Sequence, residues 1–231
     1  MRLIGLTGSI GMGKSTAAAM LRQMRVPVYD ADAAVHALQA PGGPALPYIE
    51  AAFPGTVING VLDRQALGAR VFSDRAALQR LERIVHPMVG QRQRAFLRRA
   101  AMRRAPVVVL DIPLLFEGNG QARLDAVMVV SAPAFLQRQR VLARPGMTAE
   151  KLTGILRQQV ADARKRRLAD IVLPTGLGLA PTRQALERAL KRLGSGRGNF
   201  WPPNPWRERW SAELARRRRA AGGAAKGESN A

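Results

Sequence analysis

The stretch Gly8-Ser9-Ile10-Gly11-Met12-Gly13-Lys14-Ser15, followed by Thr16, constrains this chain more than any other. It fits the pattern Gly, four residues, Gly-Lys-Ser/Thr. Its flanks suit the pattern. Residues 2–7 form a short apolar run that reads as a buried strand, and residues 16–25, rich in Ala, Leu and Met, read as a helix. A strand that turns through glycines into a helix can aim successive backbone N–H groups at one point, and the helix N-terminus adds positive charge there. Lys14 brings a full charge that can reach the β- and γ-phosphates of a nucleotide, and the Ser15 hydroxyl can ligate Mg²⁺. ATP is therefore expected over residues 8–16, with Mg²⁺ as its ion. The loop says only that nucleoside triphosphate phosphates bind; what receives a phosphoryl group has to be read elsewhere.

The 231 residues fit one compact domain with room for an inserted subdomain, and a hydrophobic content of 47% is ample for a core. The absence of cysteine excludes disulfides and zinc-thiolate sites. No apolar run approaches the length of a membrane span, and the chain enters its first strand with no signal-like segment, so a cytoplasmic protein without a membrane partner is expected. The net charge of +21 is spread out: residues 195–231 hold 8 basic and 3 acidic residues, which leaves 29 basic and 13 acidic residues, net +16, before them. Nucleic-acid binding is one reading of that charge. No nucleic-acid module is recognisable, however, and a site for polyanionic small molecules accounts for it more simply, so no nucleic acid is required.

Along the chain, apolar runs at 26–29, 106–111, 126–130 and 169–173 read as four more strands. Residues 33–105 carry helical patterns at 33–39, 45–53, 64–71 and 75–85, with a break at His86-Pro87 and a further helix over 88–104; turns fall at Pro54-Gly55 and Asn59-Gly60. No strand is expected in that region. After the fourth strand come a helix at 133–143, a break at Arg144-Pro145-Gly146, a helix over 148–167 capped by Thr148, and a closing helix at 181–193. Strands alternating with helices predict a three-layer α/β fold on a five-stranded parallel sheet. Its core would be 1–32, 106–137 and 168–194, with a helical insertion at 33–105 and a lid at 138–167. Residues 195–231, with Trp201, Trp206 and Trp210, read as a largely disordered basic tail.

Ligands of such folds sit beyond the carboxyl ends of the strands. Lys14, Asp30, Asp32, Asp111 and Glu117 all fall at or just past strand ends, which places them in one crevice. Asp30 is assigned the cap of the following helix and Asp32 the role of accepting or orienting an acceptor hydroxyl proton. Asp111 either holds magnesium with Ser15 or shapes the turn before Pro113, and Glu117 is a candidate metal or substrate contact. Arg138, Arg140 and Arg144 lie where a hinged lid would close over phosphates and exclude water. Arg140, with Lys14, is assigned to the transferring phosphoryl group and Arg144 to ATP.

Taken together, Gly5-Leu-Thr-Gly8 with the loop, Asp30-Ala31-Asp32, Asp63-Arg64, Leu81-Glu82 with His86-Pro87, Ile112-Pro113-Leu114-Leu115-Phe116-Glu117, Arg140, Arg144, Gln159 and Lys165-Arg166 with Ala169-Asp170 resemble the dephospho-CoA kinases over residues 3–193. The resemblance implies transfer of the ATP γ-phosphoryl group to the 3′-hydroxyl of dephospho-CoA, with Asp32 as base. It also implies that Asp32, His86, Pro113, Leu114 and Glu117 line the acceptor side. A monomer or weak homo-oligomer is expected. Three positions depart from the family pattern: Ser9, Ile155 (with Arg157 nearby), and Leu173-Pro174-Thr175-Gly176, where an Asn is common. Another P-loop nucleotide or nucleoside kinase shares the fold expectation but lacks the reason for His86-Pro87 and Pro-Leu-Leu-Phe-Glu. A non-catalytic nucleotide-dependent module that binds nucleic acid is the reading from a different class.

Overall fold

The computed structural model describes residues 1–72, 74–194 and 198–201. The expectations for Trp206, Trp210 and the rest of the tail lie outside the described residues. Strand β1 (Arg2–Thr7) is central, and helix α1 (Lys14–Gln23) returns across the sheet to β2 (Val28–Asp30). The insertion follows as α2 (Ala31–Leu38), α3 (Leu46–Ala52), the short strands β3 (Val57–Ile58) and β4 (Val61–Leu62), α4 (Arg64–Val71) and the long α5 (Arg75–Met102). Strand β5 (Val107–Asp111), a 3₁₀ turn at Gly120–Arg123, β6 (Ala126–Ser131), α6 (Ala134–Leu142), α7 (Ala149–Gln158), α8 (Asp162–Leu168), β7 (Ile171–Pro174) and α9 (Leu179–Gly194) complete the domain.

The sheet runs β2-β5-β1-β6-β7, with every pairing parallel. The expected five-stranded parallel sheet is therefore present. Strands β5 and β6 are buried along their whole length, as parallel strands covered on both faces must be. On one face Ile4, Leu6, Val109, Met128 and Val130 pack under Leu21 of α1 and Leu186 of α9. On the other, Leu3, Val108, Leu110 and Val127 pack against Leu97 and Ala100 of α5. The insertion has its own small core around Leu38, Leu46, Ile49, Phe53 and Leu67.

Three expectations are corrected. The insertion is not purely helical: Asn59 and Gly60, with φ of 51° and 75°, form a two-residue turn joining β3 to β4 in an antiparallel hairpin. Positive φ at both central residues is what the right-handed twist of a tight hairpin selects. The helix over 75–102 does not break at Pro87. Its apolar stripe runs through Ala77, Leu81, Ile84, Met88, Phe96 and Leu97 onto two successive cores, and that packing outweighs the hydrogen bond that proline removes. Residues 148–167 form two helices rather than one, separated at Gln159–Ala161.

The start of the tail is also corrected. The Asn199 N–H donates to Asp125 Oδ1, while Asp125 Oδ2 accepts the Leu3 N–H. Phe200 and Trp201 pack on the core beneath α5. This four-residue strap is part of the folded domain.

Candidate active site

The loop hangs between β1 and α1. Gly13 caps α1 in the left-handed region, with φ of 85°, and Gly11 has φ of 76°. Gly11 also faces α6 closely enough that a Cβ would collide with Val141. The N–H groups of the first turn of α1 have no intrahelical acceptor and point out of the helix end. Ser15 and Thr16 are exposed there, whereas Ser9 and Met12 are buried. The Met12 side chain is used inward, its Sδ accepting the Ala132 N–H, so only the backbone of Met12 faces the cradle.

The loop's outer backbone groups are held from the distal part of the chain. The Ile10 N–H donates to Gln159 Oε1 at 3.1 Å, and the Ile10 carbonyl accepts from Gln137 Nε2 at 2.8 Å. The Met12 carbonyl accepts from Thr175 Oγ1 at 2.7 Å, and the Thr175 carbonyl accepts from Arg140 Nη2 at 2.8 Å.

Sheet register sets the opposite wall. Asp111 ends β5 level with Asp30 on one side and Leu6 on the other. Lys14 Nζ reaches Asp111 Oδ1 at 2.5 Å, with the carboxylate side chain only 4% exposed. Burial raises the pKa of Asp111; the Lys14 ammonium pulls it back in part, and the charges of Asp30 and Asp32 push it up further. The carboxylates of Asp30, at the end of β2, and Asp32, at the start of α2, therefore act on the same spot as Lys14. Asp30 Oδ1 accepts the Ala33 N–H and so caps α2, as expected. Asp32 stands exposed on the first turn of that helix.

Among the described residues, no three His, Cys, Asp or Glu side chains gather as a ligand cluster. One buried carboxylate, Asp111, and one hydroxyl, Ser15, fit Mg²⁺, which commonly takes few protein oxygens and completes its shell with phosphate oxygens and water.

The family model for dephospho-CoA kinase matches residues 2–179. The chain belongs to the dephospho-CoA kinase family. It is similar to the dephospho-CoA kinase of Mesorhizobium japonicum, 55% identical over 199 residues that span 86% of this chain and all of that protein. It is also similar to that of Novosphingobium aromaticivorans, 63% identical over 180 residues, 78% of this chain and 89% of that protein. Among solved structures, a Thermus thermophilus protein superposes with a TM-score of 0.72 at 38% identity, covering 83% of this chain and 97% of its own. The Campylobacter jejuni dephospho-CoA kinase shares the fold, with a TM-score of 0.62 at 24% identity over 84% and 98% of the two chains.

The family motifs do not all meet at the loop. Glu117, assigned from sequence to substrate or metal, instead pairs with Lys165, whose side chain is fully buried: Nζ lies 3.0 Å from Oε1, and the same oxygen accepts the Val160 N–H at 2.8 Å. Burial would raise the Glu117 pKa, but the Lys165 charge and these N–H groups outweigh it and hold it below its usual 4.5. The Lys165 ammonium has the distance of an ion pair without a well-aligned hydrogen bond, and Glu117 Oε2 is buried with no partner among the described residues. A buried lysine requires a counter-charge, and Glu117 supplies it. Arg140, expected over the transferring phosphoryl group, instead braces Thr175 in this structure. Arg144 is exposed in the turn after α6. His86 lies on the exposed face of α5. Pro113 gives its carbonyl to Thr7 Oγ1, and Leu114 beside it is 52% exposed.

Gln137 and Thr175 were missed. Gln137 carries no motif, and Thr175 drew notice only as a departure from the family pattern. A further, half-buried link, from Ser131 Oγ to Asp162 Oδ2 at 2.8 Å, ties β6 to α8 and also has no local signature.

Proposed function

We infer that this protein is a dephospho-CoA kinase, transferring the γ-phosphoryl group of ATP to the 3′-hydroxyl of dephospho-CoA to give coenzyme A and ADP. The observation that carries this reading within the site is the convergence of Lys14, Asp111, Asp30 and Asp32 at the ends of β1, β5 and β2, with family membership supplying the acceptor.

In the site as it stands, Lys14 and Asp111 neutralise each other. A nucleotide would exchange both partners: the ammonium turns to the β- and γ-phosphates, and the carboxylate is released to a cation. Mg²⁺, held by Asp111 and Ser15, would neutralise charge on the phosphates. Residues 8–16 hold the phosphates through backbone N–H groups, and Arg144 adds a charge from the lid. Asp32, on the first turn of α2, accepts or orients the proton of the 3′-hydroxyl for in-line attack. Leu114, exposed after β5, and His86 on α5 are offered to the acceptor from the insertion side. Lys165 and Glu117 keep the far wall in place.

Among the described residues, no helix is long and apolar enough to cross a membrane. Both substrates are water-soluble, and the reaction is placed in the cytoplasm. A monomer suffices for every role assigned here.

The test is ATP consumption with dephospho-CoA against a panel of nucleotides and adenosine. Production of 3′-phosphorylated product with dephospho-CoA alone is expected, and its absence would sink the reading. Asp32→Asn is expected to lower kcat by about 10²–10⁴, the usual range for a general base, with ATP binding nearly intact. Near-normal turnover would remove Asp32 from that role.

A further inference from the structure

We propose that Gln137 and Thr175 are positioning residues for the nucleotide, aiming the N–H groups of Gly11 and Gly13 into the phosphate cradle. The inference rests on the reading of this loop as the ATP site.

A peptide unit is planar and trans, so its C=O and N–H point in opposite directions. Fixing one fixes the other. Gln137 Nε2 donates to the carbonyl of Ile10, which belongs to the same peptide as the N–H of Gly11. Thr175 Oγ1 donates to the carbonyl of Met12, which belongs to the same peptide as the N–H of Gly13. Each side chain pulls its carbonyl outward, toward α6 or the end of β7. Each corresponding N–H is thereby turned inward, toward the side on which Lys14 lies.

Aiming is needed at these two peptides because glycine permits it to fail. Gly11 and Gly13 sit at positive φ, where glycine moves readily among neighbouring conformations. A cradle whose N–H groups must reorient when phosphate arrives loses binding energy to that ordering. The two side chains are themselves held. Gln137 is 7% exposed, on the face of α6 that also presents fully buried Val141 to the loop. Thr175 is 7% exposed, and its carbonyl is gripped by Arg140. The Thr175 hydroxyl has a second acceptor, the Ser131 carbonyl at 3.2 Å, but Met12 at 2.7 Å is the closer.

The chemistry also selects the residue types. Gln137 must donate, so a carboxylate of the same size would fail there. Thr175 needs only its hydroxyl for the loop contact, so serine should serve.

The experiment measures equilibrium binding of MgADP and the KM values for ATP and dephospho-CoA in Gln137→Met, Thr175→Val, Thr175→Ser and the Gln137→Met/Thr175→Val pair. Losing one neutral hydrogen bond that orients a donor is expected to weaken MgADP binding and raise the ATP KM about fivefold. Because different peptides are aimed, the effects multiply to about 25-fold in the pair. Thr175→Ser should stay within about twofold of the parent, and the dephospho-CoA KM should hold in all four. The proposal is overturned by any of three results: MgADP binding unchanged in Gln137→Met and Thr175→Val, Thr175→Ser as impaired as Thr175→Val, or both substrates' KM values rising together. MgADP binding does not involve the acceptor, so a wild-type protein that failed to phosphorylate dephospho-CoA would refute the functional reading without deciding this one.

Discussion

Glu117→Gln separates two roles that the sequence leaves open for this residue. The carboxylate faces Lys165, whose side chain is fully buried, at 3.0 Å. Replacing it with an amide keeps the shape and removes the only counter-charge paired with that lysine among the described residues. Breaking a buried pair from one side costs about 3–5 kcal/mol, because the surviving charge stays desolvated. For a domain of this size each kcal/mol moves the melting temperature about 2–4 °C, so a fall of roughly 10 °C is expected at pH 7. Replacing both partners by apolar residues, Lys165→Met with Glu117→Leu, should recover most of it, since a buried pair exchanged for well-packed apolar groups is often neutral. The pH dependence gives a further readout. The Glu117 pKa is held below 4.5 in the folded state, so the pair's stabilisation is present above that value and is lost as pH falls through the lowered one. The Gln variant should lack that part of the acid decline. Thermal melts across pH, run beside the KM for dephospho-CoA, decide the matter. A Gln variant that melts within about 2 °C of wild type and has a tenfold higher acceptor KM would refute the structural role and return Glu117 to the substrate.

Three further outcomes are expected. Asp111 must be ionised to serve the site, and burial raises its pKa above the usual 3.8, with Asp30 pushing the same way; Asp30→Asn, which can still cap α2, should therefore move the acid limb of kcat/KM to lower pH, and an unchanged or upward-moving limb would refute the coupling. Truncation after Gly194 removes Phe200 and Trp201 from the core and the Asn199 bond to Asp125, a loss of about 1.5–3 kcal/mol, the scale of burying one large apolar side chain. Truncation after Trp201 should melt like the full chain, and equal melting of the two truncations would show the strap to be dispensable. Gly60→Val forces a β-branched residue to a φ of 75° and should cost about 1–3 kcal/mol by urea unfolding, while ATP KM stays unchanged because the hairpin packs on the insertion's own core.

The donor half of the site was legible in the sequence because it is local. A glycine loop between an apolar strand and a helix encodes its own dihedrals, and Lys14, Ser15 and the cap at Asp30 follow from spacing within a few residues. The parallel sheet was legible for a similar reason, since buried strands leave uninterrupted apolar runs. Pro87 misled because a local breaker was outvoted by a continuous apolar stripe that was itself present in the sequence. The break at 159–161 has no such signal: no glycine or proline marks it, and it coincides with Gln159 bonding Ile10 and Val160 bonding Glu117.

Those last contacts mark the boundary between the two kinds of information. The sequence determined that a glycine loop joins the first strand to the first helix, with Lys14 and Ser15 at its end, and that carboxylates stand at neighbouring strand ends. Only the tertiary structure decided what holds the cradle's peptides in place, that Glu117 belongs to Lys165, and that Arg140 braces Thr175. Gln137 and Thr175 lie 127 and 163 residues from the carbonyls they grip. A hydrogen bond across that separation depends on strand order and helix placement, and neither leaves a trace in the residues beside it.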